Sequence, residues 1–272
     1  MTSALLPVEF TPPLAVPVHP LGLDAATTWI ETTTPDEARR WLPQGVQFRR
    51  LTHGPTSAFG VWGADWCASL DDLDPEGDLK TGPAVEDDDP DPFVAVTVWA
   101  SDRLQECGNL SAFDRALAVE RARLTLAVRE PLVVETDFAN RLLADAPSPT
   151  AAADLVAAVG HLEQTFAATG TVGLVHARVG LLSLAEHLRL VVRDAVTPGV
   201  LRTPAGHRWV FGAGYATPLG GSLIGTSPTY GWRDKIAVRE ALHPWSNQFL
   251  AVAERSVVVG YEAIVGVAEI TP

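Results

Sequence analysis

Lysine, cysteine and methionine are scarce in this chain. Two lysines (Lys80, Lys235), two cysteines (Cys67, Cys107) and a single methionine stand among 272 residues. Two thiols cannot build a disulfide framework or a cysteine-rich metal cluster, so they read as free cysteines in a reducing compartment. No apolar run is long enough to span a bilayer. Residues 1–20 lack a basic stretch ahead of an apolar core, so we expect neither a membrane segment nor a signal peptide. A basic face is missing as well. Of the net charge of −13, residues 71–91 carry −9, with ten acidic side chains against Lys80 alone. The remainder is mildly acidic, which excludes a protein that grips nucleic acid by neutralising phosphates.

Catalytic and cofactor motifs are also lacking. The seven histidines (His19, His53, His161, His176, His187, His207, His243) include no pair at the four-residue spacing of a helical zinc site. Gly212-Ala213-Gly214 lacks the third glycine and opening helix of a dinucleotide fingerprint. Gly220-Gly221-Ser222 does not have the spacing of a nucleophile elbow. Clustered carboxylates can hold Ca²⁺ or Mg²⁺, but Asp71–Asp78 lacks the alternation of a calcium loop and has Pro75 inside it. It reads as a solvated loop, or one that meets a basic patch on a neighbour. The expectation is no catalytic residue, no cofactor and no metal. A small-molecule enzyme on the α/β portion is disfavoured.

What is present describes a folded chain. Apolar residues make up 47%, and the mean hydropathy is +0.12. The length suits one large domain or two modest ones. Eight tryptophans against one methionine favour rigid packing or contact surfaces.

The longest element is predicted over Ser111–Ala144. Ser111 with Asp114 makes a capping-box-like start. Phe113, Leu117, Leu124, Val128 and Leu132 then recur at steps of four or seven, an apolar stripe along one face. Pro131 removes a backbone donor and predicts a bend or break. Fully helical, the segment would span about 50 Å, the length of a strut.

In order, residues 1–20 set five prolines among Leu5, Leu6, Val8, Phe10, Leu14, Val16 and Val18, which predicts an extended arm laid on another surface. Residues 35–42 read as a short helix. Ser57–Trp66 and Phe93–Trp99 read as the strands of a long hairpin with an acidic tip. The second strand should place Phe93, Ala95, Thr97 and Trp99 on one face and Val94, Val96 and Val98 on the other. After the strut come a helix over Ala151–Ala168, a strand over Gly170–Val179 and a helix over Leu181–Arg193. Short strands broken by Gly and Pro follow, with a turn at Thr203–Gly206. Ser256–Ile270 is the most strand-like stretch of all.

This order of parts, an α+β chain, resembles the HK97-like fold of tailed-phage major capsid proteins, shared with encapsulin shells. The resemblance is carried by Asp91–Trp99 with Asp102, Arg121–Leu143 around Val134-Glu135, Val200–Tyr215 and Glu254–Ile270, which are similar to virion proteins of actinobacterial phages. It implies an N-terminal arm over 1–55, a projecting hairpin (E-loop) over 56–100, and a spine helix with the first part of the P-domain over 101–180. It further implies an A-domain over 181–243 and a C-terminal strand segment over 244–272 returning to the P-domain. The implied function is a shell subunit forming the hexamers and pentamers of an icosahedral head around double-stranded DNA, located in the virion and assembled in the host cytoplasm. Implied partners are other copies of itself, decoration and portal proteins, and a separate scaffold if any, with no sequence-specific DNA contact and no membrane. An encapsulin-like compartment and a tail or connector protein are the alternatives.

Some relatives in that family weld subunits by an isopeptide bond. Here the resemblance nominates Lys80 as the amine, Asn247 as the acceptor and Glu254 as the base. The plain alternative is that Lys80 only relieves repulsion in an acidic loop.

Overall fold

The computed structural model describes residues 19–31, 46–50, 65–73, 91–105, 111–170 and 172–271. The arm up to Val18, the helix at 35–42, all but the last two residues of the strand expected over Ser57–Trp66, and Lys80 lie outside them. In chain order the elements are α1 (Leu23–Ala26), β1 (Thr28–Glu31), β2 (Gln47–Phe48), β3 (Phe93–Val94), β4 (Val96–Gln105), α2 (Ala112–Asp145), β5 (Thr150–Ala152) and α3 (Leu155–Thr169). There follow β6 (Leu174–Arg178), α4 (Leu182–His187), β7 (Val192–Arg193), β8 (Leu201–Arg202), β9 (Arg208–Gly212) and α5 (Ala216–Leu219). The last are β10 (Ser222–Thr226), β11 (Thr229–Arg233), β12 (Ala237–His243), β13 (Gln248–Tyr261) and β14 (Ile264–Ile270).

Helix α2 starts as its sequence dictates. The Ser111 hydroxyl accepts from the Asp114 amide at 3.2 Å, and the Asp114 carboxylate accepts from the Ser111 amide at 3.2 Å. It then runs 34 residues with Pro131 inside it. Of the expected bend or break, the break does not occur, and the two halves are continuous. Proline costs only the bond to the Ala127 carbonyl, and the turns on either side are held by Glu130 and Glu135, as described below.

The buried face of α2 differs from the expected one. Ala118, Ala122, Leu126, Glu130, Val134, Phe138 and Leu142, each four residues on from the last, form the buried ridge. Much of the predicted stripe faces out: Phe113 is 74% exposed, Val128 47% and Leu132 38%, while Leu117 and Leu124 are half-buried. The ridge shares one core with Ala100 on β4 and Ala251 and Ala253 on β13. Small residues on both sides let helix and sheet approach closely.

Strand β13 organises the first sheet, ordered β1-β11-β13-β12, with β4 on the other edge of β13. The partner of Phe93 is also not the expected one. β3 pairs antiparallel with β2, whereas β4 pairs with β13 over ten positions. At the handover the Ala95 amide donates to the Val46 carbonyl at 3.0 Å. The pleat slips there by one residue. Phe93 and Ala95 are buried, then Val98 and Ala100, leaving Thr97 and Trp99 outside.

The second sheet has seven strands, β5-β14-β10-β6-β9-β8-β7. Alternate residues feed two cores. Leu174, Val210, Ile224 and Val267 face α2, while Val175, Ala177, Trp209, Phe211, Leu223 and Ala268 share the other core with Leu155, Leu162 and Phe166 of α3. Burial on both faces explains why these strands read as apolar runs. Helix α3 begins later than expected because Asp154 caps it, accepting from the Ala157 amide at 2.8 Å, while residues 150–152 are taken by β5. The helix expected over Leu181–Arg193 stops at His187; Arg189 is left-handed at φ 59°, and Val192–Arg193 pairs with β8. Ser256–Ile270 is divided at 262–263, so β13 closes the first sheet and β14 joins the second. The sheets therefore part the chain near 150, 227 and 263, where the sequence placed boundaries at 181 and 244.

Candidate functional site: exposed apolar surfaces and the joint between the sheets

Asp145, the last residue of α2, gathers the base of the long connection between β2 and β3. Its carboxylate accepts from the Tyr261 hydroxyl at 2.6 Å and from Arg141 Nε at 2.9 Å, and pairs with Arg50. Arg50 and Arg141 both lie over the Phe93 ring, 5.0 and 4.5 Å from its centroid. Arg141 also donates to the carbonyls of Asp91 and Pro92 at 2.6 and 3.2 Å. One ring between two guanidinium groups is thus pinned where the chain leaves for residue 51 and where it returns. Burial, and then Asp145, push the Tyr261 phenol far above its usual range, so it stays a donor.

Midway along α2, Glu135 does a similar task with two oxygens. Oε1 accepts from the Leu23 amide at 3.0 Å and Oε2 from the Gly214 amide at 2.9 Å. The side chain is 4% exposed. Burial raises its pKa against the pull of those amides and of His19. Next to it, the Thr136 hydroxyl lies 3.2 Å from the Gly214 carbonyl. Gly214 has no room for a side chain: a Cβ there would stand 2.5 Å from the Leu132 carbonyl oxygen.

His176 sits in the same joint, fully buried on β6. Its Nε2 is 2.8 Å from the Thr226 hydroxyl and its Nδ1 is 3.1 Å from the Tyr215 hydroxyl. Thr226 directs its own proton to the Ser227 carbonyl at 2.8 Å. Nε2 must therefore donate and Nδ1 accept, which fixes a neutral tautomer. Complete burial lowers the imidazole pKa to about 3.

Of the residues nominated for a weld, Lys80 lies outside the described residues. Asn247 occupies the β12–β13 turn in the left-handed region, φ 47°, beside Trp245, which is 99% exposed. Glu254 lies seven residues along β13, and its carboxylate pairs with Arg239 at 2.7 Å. At about 3.3 Å per strand residue, acceptor and base stand more than ~20 Å apart within one subunit. The structure does not bring them together in a single chain.

Sequence reasoning missed Arg50, Arg141, Asp145 and Tyr261, whose only signal was charge near aromatics scattered over 200 residues. It included Glu135 without giving it a role.

Large apolar side chains are exposed on the outward row of α2, at Phe113, Val128, Leu132 and Val133, and at the β12–β13 tip, at Leu242 and Trp245. A cavity of about 340 Å³ lies between α2 and the strands, lined by Phe93, Val94, Val96, Phe138 and Val258 with Asp137 at its edge. Partial desolvation by the surrounding chain raises the pKa of the Asp137 carboxyl, although the residue remains exposed.

No family model matches the sequence, and no curated protein matches it. Among solved structures, the chain is similar to the capsid of an empty GTA particle at TM-score 0.53 and 12% identity, covering 98% of this chain and 94% of that one. The capsid of the native GTA particle aligns at TM-score 0.52 and 10% identity, covering 98% and 95%. A structure from Mycobacterium phage Bobi aligns at TM-score 0.47 and 14% identity, covering 98% and 95%. The fold rests on the first two. An unbroken spine helix between a β13-centred sheet and a doubly covered seven-stranded sheet, overlaid along nearly the whole chain, is the HK97-like capsid fold.

Proposed function

We propose that this chain is the major capsid protein of a tailed phage, a non-enzymatic shell subunit that forms hexamers and pentamers around double-stranded DNA. The observation that carries this is the overlay of 98% of the chain on a particle-forming capsid subunit. The outward apolar row of α2 supports it, because a lone subunit leaves that row in water. In this reading α2 is the spine, the sheet around β13 the P-domain, the seven-stranded sheet with α3 the A-domain, and the connection from β2 to β3 the E-loop. The arm expected over 1–55 lies largely outside the described residues, and neighbours, decoration, portal or scaffold proteins are the chain's partners in the host cytoplasm and the virion.

Expression of the full chain with electron microscopy of the product tests this. Closed icosahedral particles support it, and a dispersed monomer at high concentration contradicts it. Nuclease-protected DNA inside separates a phage head from an encapsulin-like compartment, which would hold a cargo protein. The weld through Lys80, Asn247 and Glu254 requires residues from different subunits. A ladder of covalent oligomers on a denaturing gel, lost in Lys80→Arg, supports it; a single band at 29.0 kDa ends it.

A further inference from the structure

Residues His19–Glu31 cross from the second sheet to the first along the flank of α2, fastened at each step. The Leu21 carbonyl accepts from the Phe211 amide of β9 at 2.7 Å. The Leu23 amide donates to Glu135 at 3.0 Å, and the Ala25 carbonyl accepts from Arg208 at 2.8 Å. The Thr27 hydroxyl then lies 3.0 Å from that of Thr229, and β1 runs parallel to β11. Asp24 pairs with Arg233 at 3.0 Å, and that guanidinium lies 4.8 Å from the Trp29 ring centroid.

Among the described residues, apart from this segment and the two faces of α2, three short links lead between the parts: 146–149 from α2 into the second sheet, then 227–228 and 262–263 directly between the sheets. Ser227 ties the last two together. Its hydroxyl accepts from the amides of Glu262 at 2.9 Å and Ala263 at 3.3 Å, and its amide donates to the Ala263 carbonyl at 3.0 Å. Short paired links of this kind can absorb a rotation as a hinge. Beneath the segment is a cavity of about 180 Å³, lined by Leu23, Trp29, Ala127, Pro131 and Arg255 among others. Pro131 offers no amide to the Ala127 carbonyl there. Space and a missing backbone bond both lower the cost of a local opening.

We infer that residues 19–31 are a strap that holds the two sheets at one angle, with Glu135 as its fastening, and that its release changes the angle while both sheets stay folded. One carboxylate serves both sides of the joint. Gly22 is the strap residue that admits it, since a Cβ there would stand 2.6 Å from Oε1. Only the consequence rests on the capsid reading: subunits whose halves sit at another angle build a shell of another curvature. The strap itself is a property of the single chain.

The test uses the dispersed full-length chain, with Glu135→Gln and, away from the helix, Thr27→Val. A carboxamide has one acceptor oxygen, so Glu135→Gln must free one of the two amides. Hydrogen exchange should rise about tenfold or more over 21–31 and 209–214 while β6 and β13 stay as protected as before. Spin labels at Arg103→Cys and Val156→Cys, with Cys67 and Cys107 replaced by Ser, should show a shifted or broadened distance. Exchange that rises equally in β6 and β13, or a distance as narrow as in the unaltered chain, overturns the strap. In particles, altered diameters or open sheets support the link to curvature, and shells of normal size overturn it. If the unaltered chain makes no particles, the capsid reading fails and the strap is judged by exchange and distance alone.

Discussion

Glu130 and Arg255 meet as a two-pronged ion pair between α2 and β13, with Nε and Nη2 each 2.6 Å from one carboxylate oxygen. Glu130 is 6% exposed and directly precedes Pro131. The pair holds the helix to the sheet at the turn that proline weakens.

Removing one partner should therefore cost far more than removing both. Arg255→Met leaves a buried carboxylate without its cation, at a cost of about 3–5 kcal/mol. Glu130→Leu combined with Arg255→Met should recover most of that. Urea unfolding of the three variants checks this, and a loss below ~1 kcal/mol in Arg255→Met contradicts it.

Acid should act through His176. The imidazole titrates near 6.5 when unfolded but only at about 3 when buried, so the unfolded chain takes the proton first. Stability from this group is complete above pH 6.5 and falls as pH drops toward 3. Glu135 works the other way: its raised pKa gives a contribution that is present below 4.5 and lost as pH rises through the folded value. Comparison with His176→Leu isolates the histidine. Between pH 7.5 and 5 the unaltered chain should lose ~2 kcal/mol more than the variant. Equal losses would contradict the assignment.

Gly214→Ala should be costly, because the added carbon meets the Leu132 carbonyl oxygen at 2.5 Å and the Thr136 amide nitrogen at 2.8 Å. Neither backbone atom can swing aside, so a destabilisation of ~2 kcal/mol or more is expected. Thermal unfolding measures it. A neutral result would mean that the 213–215 loop moves freely off the helix.

The outward row of α2 should separate folding from assembly. Phe113→Ser with Val128→Ser should cost the subunit no more than about 1 kcal/mol, since Phe113 is mostly in water and Val128 about half so. Particle yield should fall at least tenfold on the same reading. Particles at normal yield would show that no neighbour covers this row.

Much of the fold was legible in residues that act locally: the Ser111–Asp114 cap, the single long helix, the turn at Thr203–Gly206, the apolar strands of the doubly covered sheet. The buried ridge of α2 was not, because it is built from Ala118, Ala122 and Glu130, which a search for large apolar residues passes over. The outward row drew that reading instead, although it lies outside the chain's own core. The pleat slip at Ala95 follows from a change of partner strand that no local pattern records. The strap was invisible for a related reason: many of its contacts are made by backbone groups of ordinary residues, to elements 100 to 200 positions away. Glu135 entered only with Val134 in the stretch that carries the resemblance, and no local pattern marked its face as the buried one.

On the proposed function, this fold tiles a closed shell. Cryo-electron microscopy of the purified full-length chain tests it most directly. Closed particles are expected in which α2 of each copy is covered along Phe113, Val128 and Leu132 by a neighbour. A stable, monodisperse monomer with that row in water at high protein concentration would contradict it.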